Sequence, residues 1–154
     1  MNILLLGDIV GPSGRKAISE KLPELIEKKK IDFVIANGEN AGDMGVGITK
    51  KIFNEFIEAG ADVVTTGNHV WDEKEALEFI ISESRLLRPE NLNKGSPGNG
   101  YGIFISKNKK KVAVINLMGN IFMKKCDDVF EAAKKFIQNV KLKKDADFIV
   151  VDMH

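Results

Sequence analysis

Apolar residues along the chain occur in two kinds of segment. Compact runs of β-branched and aliphatic residues predict four strands, over residues 2–6, 33–36, 62–66 and 147–152, and we expect the first and the last to be buried. Apolar positions at helical spacing predict four helices, over residues 14–30, 49–59, 73–82 and 127–140, with Thr49 as a candidate cap of the second. Two further apolar runs, 101–106 and 111–117, flank polar residues and predict an antiparallel hairpin. This order predicts an α/β fold with two sheets and with helices packed outside them.

Composition and charge narrow the class of protein. Of the 154 residues, 44% are hydrophobic, which is enough for one core, so we expect a single domain over residues 1–154. Lys and Arg number 23 against 22 Asp and Glu, a balance that gives no strong field toward nucleic acid or a membrane surface. Cys126 is the only cysteine, and Gly7 and Asp8 interrupt the first apolar run before it could act as a signal or a membrane span. We therefore expect a cytoplasmic protein that does not enter membranes.

Polar side chains follow four of the predicted strands, at the point where each strand ends. They are Asp8, Glu39, Asn40, Asn68, His69 and His154. Because the carboxyl ends of parallel strands meet at one edge of a sheet, we expect these side chains to converge. Carboxylate, amide and imidazole groups without a thiolate suit Mn²⁺, Fe²⁺, Zn²⁺ or Mg²⁺. Two ions fit better than one, because a carboxylate such as Glu39 or Asp8 is able to bridge cations about 3.5–4 Å apart.

Each of these residues also has a common structural interpretation. A single Asp or Asn at a strand end usually satisfies nearby backbone N–H groups. Either histidine, taken alone, is as compatible with a structural role as with a functional one. Gly7, Gly11 and Gly14 form a G-x-x-x-G-x-x-G pattern that is able to cradle a phosphate at the start of the next helix, although it matches neither the dinucleotide-binding fingerprint nor Walker A. A nucleotide- or phosphate-binding α/β module without hydrolysis is therefore the alternative function.

Five short motifs carry a resemblance to one enzyme family. They are Gly-Asp-Ile-Val-Gly at 7–11, Gly-Glu-Asn-Ala at 38–41, Thr-Gly-Asn-His-Val-Trp-Asp at 66–72, Arg-Pro-Glu-Asn at 88–91 and Val-Asp-Met-His at 151–154. In this order they resemble the YmdB-like calcineurin-type metallophosphoesterases, and the resemblance spans the whole chain. It implies a calcineurin-like α-β-β-α sandwich and a metal-dependent phosphodiesterase that uses a metal-bridging hydroxide. Its substrate would be a small phosphodiester, with 2′,3′-cyclic nucleotides among the candidates, and nucleic acid would enter only as a substrate. We also expect a homo-oligomer.

The resemblance assigns a metal to each candidate ligand. Asp8 and Asn40 would bind the first ion, Asn68 and His154 the second, and Glu39 would bridge both. Most calcineurin-type enzymes carry Asp-x-His at the first motif, whereas residues 8–10 here are Asp-Ile-Val, and Asn40 would fill the vacancy. An amide oxygen is a harder ligand than the imidazole it would replace, and this favours iron, manganese or magnesium over zinc at that position. We expect two divalent ions, iron or manganese first, with magnesium or zinc as alternatives.

The remaining candidates would act on the substrate. By the same resemblance, His69 would bind no metal and would either protonate the leaving group or stabilise the charge of the phosphate. Asp72 is a candidate to orient His69 and, equally, to cap the helix that follows it. Arg88 would contact phosphate from the loop over residues 88–102, with a surface salt bridge as the alternative, and Gly11 would line the substrate cleft.

The family pattern continues beyond the motif at His154 into a glycine-rich segment with a His-x-His arrangement, which this sequence does not contain. The resemblance therefore implies that two imidazole ligands and the last strands of the second sheet are missing here. We expect these 154 residues alone to bind metal weakly or not at all, to show little activity, and to self-associate through an open sheet edge.

Overall fold

The computed structural model describes residues 1–123 and 125–154. The strands are β1 (Ile3–Leu6), β2 (Phe33–Asn37), β3 (Val63–Thr65), β4 (Leu86–Leu87), β5 (Tyr101–Ile105), β6 (Lys111–Leu117) and β7 (Phe148–Met153). The helices are α1 (Gly11–Lys29), α2 (Lys50–Ala59), α3 (Ala76–Phe79) and α4 (Val129–Asn139). Strands β1, β2, β3 and β4 form a parallel sheet in that order. In the second sheet β6 pairs with β5 antiparallel, as the hairpin pattern predicts, and with β7 parallel.

Alternating residues of β2 divide the first core into two layers. Phe33 and Ile35 pack in the layer between the two sheets, whereas Val34 and Ala36 pack against the helical side with residues of α1 and α2. Successive side chains of a strand point to opposite faces, so a strand with apolar residues on both faces is covered on both. Its continuous apolar run therefore reflects a central position in the sheet.

The second sheet repeats this arrangement with α4 on its outer face. Val112 and Val114 of β6 belong to the layer between the sheets, while Ala113 and Ile115 pack with Phe136 of α4. The layers therefore run helix, sheet, sheet, helix, which confirms the predicted α-β-β-α sandwich. No helix in the described parts of the chain combines the length and apolar character needed to cross a membrane.

Helix boundaries follow the predicted caps with two exceptions. The side chain of Thr49 accepts a hydrogen bond from the backbone N–H of Ile52 and caps α2, as predicted. Helix α1 begins at Gly11, three residues earlier than the pattern indicated. The predicted helix over residues 73–82 is only one turn long, because the residues on its N-terminal side wind mainly through i to i−3 backbone bonds, such as that from Ala76 N–H to the carbonyl of Glu73. The two-residue strand β4 was not predicted, because it is too short to show a period.

Two strands predicted to be buried lie at sheet edges instead. Strand β1 is the first of its sheet and β7 the last of the other. Leu5 of β1, and Val151 and Met153 of β7, are each about half exposed. The prediction of burial was wrong because an apolar run does not show whether a neighbouring strand covers it. Strand β7 therefore presents one open backbone edge, the kind of edge along which sheets associate.

Candidate metal centre

The candidate residues come from loops that leave the carboxyl ends of four strands. Asp8 follows β1, Glu39 and Asn40 follow β2, Asn68 follows β3, and His154 follows β7 of the other sheet. Because β1, β2 and β3 are parallel, their carboxyl ends lie at one edge, and β7 delivers His154 to the same place. The tertiary structure thus brings together side chains that are distant in the sequence.

Three of these side chains meet at one atom, Nε2 of His154. Glu39 Oε1 lies 2.7 Å from this nitrogen and Asn68 Oδ1 lies 3.0 Å from it. The other carboxylate oxygen of Glu39, Oε2, accepts a hydrogen bond of 3.2 Å from the backbone N–H of His69. Glu39 is only 1% exposed, so its carboxylate is bound almost entirely by protein groups. The three side chains assigned by resemblance to the second ion therefore form one cluster.

The environment of His154 favours its protonated form. The hydrogen bond to Glu39 is the largest cause that raises the pKa of the imidazole, and the negative charges of Glu39, Asp152 and Asp8 raise it further, while burial opposes them. A cation bound by this imidazole would compete with its proton, because a histidine that binds metal must be neutral.

Asp8 and Asn40 form a second contact at this edge. Asn40 Nδ2 donates to both carboxylate oxygens of Asp8, at 2.9 and 3.0 Å. In this arrangement the amide nitrogen of Asn40, not its oxygen, faces the carboxylate, so ligation by the oxygen requires the amide to turn by about 180°. Among the described residues, no group of three or more His, Cys, Asp or Glu is placed to hold a cation. Amide oxygens would therefore have to complete any such site.

A glycine keeps space beside the cluster. A Cβ atom added to Gly67 would collide with the carboxylate of Glu39 and with the imidazole of His154. The glycine before Asn68 is therefore required by a close approach and not by a left-handed backbone. This close packing holds the Glu39 and His154 side chains against the end of β3.

His69 lies beside the cluster, and its ring has a different partner. Its Nδ1 is 2.5 Å from Oδ2 of Asp72, and its side chain is about one-third exposed. Helix α3 begins at Ala76, so the alternative in which Asp72 caps that helix is wrong. The turn over residues 69–72, closed by a backbone bond from Asp72 N–H to the His69 carbonyl, brings the two side chains together. The carboxylate thus orients the imidazole.

Arg88 makes its hydrogen bonds within its own loop. Its guanidinium donates to the backbone carbonyls of Pro89, Glu90, Ser96 and Pro97, and only 12% of its side chain is exposed. Burial lowers its pKa, and the carboxylate of Glu90, 3.6 Å away, opposes this. These contacts explain how the glycine- and proline-rich loop keeps its shape, and the substrate contact of Arg88 stays a prediction.

The loop from Gly7 to Gly14 offers few free donors to a phosphate. The backbone N–H of Gly11 donates to the carbonyl of Asn40 at 2.8 Å, Pro12 has no N–H, and the N–H of Gly14 donates to the carbonyl of Val10. Gly11 adopts a φ of +59°, which turns the chain from β1 into α1. The bond from Gly11 joins this turn to Asn40, so its observed role is to support the candidate ligands.

Two further polar residues lie beneath the cluster. Asn37 Oδ1 accepts from the backbone N–H of Glu39 at 3.2 Å, and Asn37 Nδ2 lies 3.4 Å from Oδ2 of Asp152. Sequence analysis assigned a role to neither. The signal available was positional, because each residue ends an apolar strand two positions before a candidate ligand.

Comparisons with known proteins show the family to which the chain belongs. The model of a family described as YmdB-like protein matches residues 4–154. The chain is 43% identical over 154 residues to the 2′,3′-cyclic-nucleotide 2′-phosphodiesterase of Bacillus subtilis (strain 168), and 34% identical over 160 residues to a putative phosphatase/phosphodiesterase of Mycoplasma genitalium. All of this chain is aligned in both cases, and it spans 57% and 55% of the two relatives, so it covers little more than half of their length.

Two crystal structures have the same fold. One is of a hypothetical protein from Thermus thermophilus, with a TM-score of 0.88 and 33% identity over all of this chain and 57% of that one. The other is of a novel phosphatase from Mycoplasma pneumoniae, with a TM-score of 0.86 and 34% identity over 99% of this chain and 54% of that one. The sandwich and its layer order are thus shared with longer proteins.

Proposed function

Because this chain belongs to the YmdB-like family, we propose that it carries the metal-binding edge of a metal-dependent phosphodiesterase that acts on small cyclic nucleotides. The observation that supports this most directly is the cluster in which Glu39 and Asn68 both contact Nε2 of His154. The relative from Bacillus subtilis is named for 2′,3′-cyclic nucleotides, and this supports the same substrate class here.

The donor set fits divalent cations. A carboxylate buried as deeply as Glu39 is costly to desolvate unless charged or polar partners compensate, and a purely structural core does not require it. Glu39, Asn68 and His154 would hold one ion, and Asp8 with Asn40 would hold another, shared through Glu39. Such ions supply charge neutralisation for the phosphate and a lowered pKa for bound water. Iron or manganese suits these oxygen and nitrogen donors best.

His69 would act on the departing oxygen. Because Asp72 contacts Nδ1, the other ring nitrogen, Nε2, is left to donate a proton in this role, and the carboxylate would stabilise the positive charge that the ring carries as an acid. Proton transfer from Nε2 neutralises the leaving alkoxide as its bond to phosphorus breaks. The ring needs to stay free of metal for this role, in agreement with its contact to Asp72.

The alternative, a phosphate-binding module without hydrolysis, depends on the glycine loop before α1. That loop has already used the N–H groups of Gly11 and Gly14 for backbone carbonyls, and Pro12 contributes none. Each N–H group used in this way is one donor fewer for an anion at the helix N-terminus. The contacts therefore favour the metal centre as the site of phosphate binding.

The experiment is a Mn²⁺ titration followed by electron paramagnetic resonance on the wild-type chain, E39Q and N68A. Because Glu39 is assigned to both ions and Asn68 to one, E39Q should weaken both binding steps and N68A only one. Hydrolysis of 2′,3′-cyclic AMP, measured at high protein concentration, should depend on Mn²⁺ and be abolished by E39Q. Hydrolysis that proceeds equally in E39Q, or Mn²⁺ binding by the wild type that E39Q and N68A both leave unchanged, would contradict the proposal.

A further inference from the structure

The carboxyl end of the layer between the two sheets is polar. Every second residue of a strand faces this layer, and in four strands these residues are apolar until the last one, which is polar. The polar residues are Asn37 on β2, Thr65 on β3, Asn116 on β6 and Asp152 on β7. The first three are buried. Apolar side chains would fill the layer at a lower desolvation cost, since a buried polar group is unfavourable unless it is hydrogen-bonded. Packing alone therefore does not account for these residues.

The oxygen and the nitrogen of the Asn37 amide contact different parts of the chain. Its Oδ1 accepts from the backbone N–H of Glu39 at 3.2 Å, which fixes the turn that follows β2. Its Nδ2 lies 3.4 Å from Asp152 Oδ2, across the layer, and 3.5 Å from the carbonyl of Thr66, in its own sheet. One side chain thus connects the Glu39 turn to the opposite sheet.

Asp152 completes the connection from the other side. Asp152 and His154 are two positions apart at the end of β7, so both project toward the first sheet. His154 Nε2 contacts Glu39 Oε1 at 2.7 Å. The contacts Asp152 to Asn37 and His154 to Glu39 therefore run side by side between the same two chain segments. Together they restrict both the separation and the rotation of these segments.

We infer that Asn37 and Asp152 are positioning residues that hold Glu39 and His154 in register across the two sheets. The consequence for a metal ion rests on the proposed function, whereas the positioning itself is a property of the metal-free chain. Groups behind a ligand fix its orientation, and their loss weakens metal binding by about 10–100-fold. The same loss should release the Glu39 turn, whose backbone N–H is bonded to Asn37.

The test compares N37A with the wild-type 154-residue chain in two measurements. The first is the Kd for Mn²⁺, which should rise about 10–100-fold in N37A. The second is hydrogen exchange at the backbone amide of Glu39 in metal-free protein, which should accelerate. If N37A does not fold by circular dichroism, N37S replaces it, because a serine is able to accept from Glu39 but is too short to reach Asp152. In N37S the Mn²⁺ affinity should fall while the Glu39 amide stays partly protected.

Two variants separate positioning from general stability. In the charge-neutral double variant N37D/D152N the donor and the acceptor of the contact between these two residues exchange places, whereas the bond to the carbonyl of Thr66 is lost, so Mn²⁺ affinity should recover part of the loss seen in N37A. N2A removes an asparagine that also ties separate segments, through its amide bonds to the carbonyls of Lys29 and Lys30, but at the opposite end of the sheet. N2A should lower stability without changing the Kd for Mn²⁺.

The outcomes distinguish this inference from the proposed function. If the wild type binds Mn²⁺ and N37A matches it in both affinity and exchange at Glu39, the inference is overturned. If the wild type binds no Mn²⁺ but exchange at Glu39 still accelerates in N37A, the positioning role is supported and the proposed metal function gains no support from these 154 residues. If N2A weakens Mn²⁺ binding as much as N37A does, the effect is one of general stability and the inference is overturned.

Discussion

The imidazole of His154, at the end of β7, lies 2.7 Å from the carboxylate of Glu39, which follows β2 of the other sheet. This contact joins the two halves of the sandwich at the edge where the carboxyl ends of the strands meet. The buried Glu39 carboxylate also raises the pKa of His154, so the two side chains are coupled in charge as well as in position. The consequences of this arrangement are testable on the chain itself.

His69 should matter for turnover but not for metal affinity. In H69A we expect the Kd for Mn²⁺ to stay within about twofold, while Mn²⁺-dependent hydrolysis of bis(p-nitrophenyl) phosphate falls by about 10²–10⁴, the usual contribution of a positioned acid. D72N keeps the shape of the partner and removes its charge, so it should reduce hydrolysis less than H69A does. A parallel loss of Mn²⁺ affinity in H69A would identify His69 as a ligand instead.

Substitution of Gly67 should damage the candidate centre. A Cβ atom at this position meets the side chains of Glu39 and His154, so G67A should lower the free energy of unfolding by about 1–3 kcal/mol, the usual cost of overpacking, and weaken Mn²⁺ binding. Gly7 provides the matched control, because a Cβ atom there meets no atom of the described residues within 4 Å. Urea unfolding and Mn²⁺ titration should show G7A close to wild type, and equal effects of G7A and G67A would contradict the steric argument.

Asp62 should make stability depend on pH. Burial raises the pKa of its carboxyl above the ordinary value of 3.8, although the hydrogen bond from the backbone N–H of Val34 opposes the shift. Since the raised pKa favours the protonated form in the folded state, its stabilising contribution is complete below the ordinary pKa and is lost as the pH rises through the raised one. The stability of D62N relative to wild type should therefore increase as the pH rises from about 3 to about 7.

The measurement for Asp62 is urea unfolding with EDTA at about pH 3, 5 and 7. D32N is the comparison variant, because Asp32 likewise accepts a backbone N–H bond of 2.7 Å, from Asn2, but at an exposed position. The difference between D62N and wild type should grow with pH more than the difference between D32N and wild type. A D62N difference that is constant across this range would show that burial of Asp62 does not control its titration.

The open edge of β7 should promote self-association. Val151 is half exposed at this edge and borders an apolar groove of about 300 Å³ that also includes Ile137 and Leu142. A lysine at an edge strand opposes pairing with another chain, so V151K should reduce the weight-average mass measured by sedimentation at high protein concentration. I81K introduces the same charge at an exposed isoleucine away from this edge and should leave association unchanged. Identical behaviour of V151K and wild type would exclude this edge as the contact.

Local patterns were sufficient for most of the elements. Thr49 and the apolar face of α2 determined that helix, because capping and helical spacing are properties of neighbouring residues. The hairpin of β5 and β6 followed from two apolar runs around a polar turn for the same reason. Strand β4 and the shortness of α3 were missed, since a two-residue strand has no period and the residues before α3 are held by turns.

For the candidate site, the sequence by itself determined which residue types follow each strand and hence the donor set that includes Asp8, Glu39 and His154. It also determined the family, because the motifs that contain these residues are contiguous and need no fold to be recognised. Only the tertiary structure decided that Asn37 reaches Asp152, that the guanidinium of Arg88 donates to backbone carbonyls of its own loop, and that β7 lies at a sheet edge. These facts depend on which strands become neighbours and in what register, and long-range pairing is set by packing of the whole sandwich and not by any local stretch of residues.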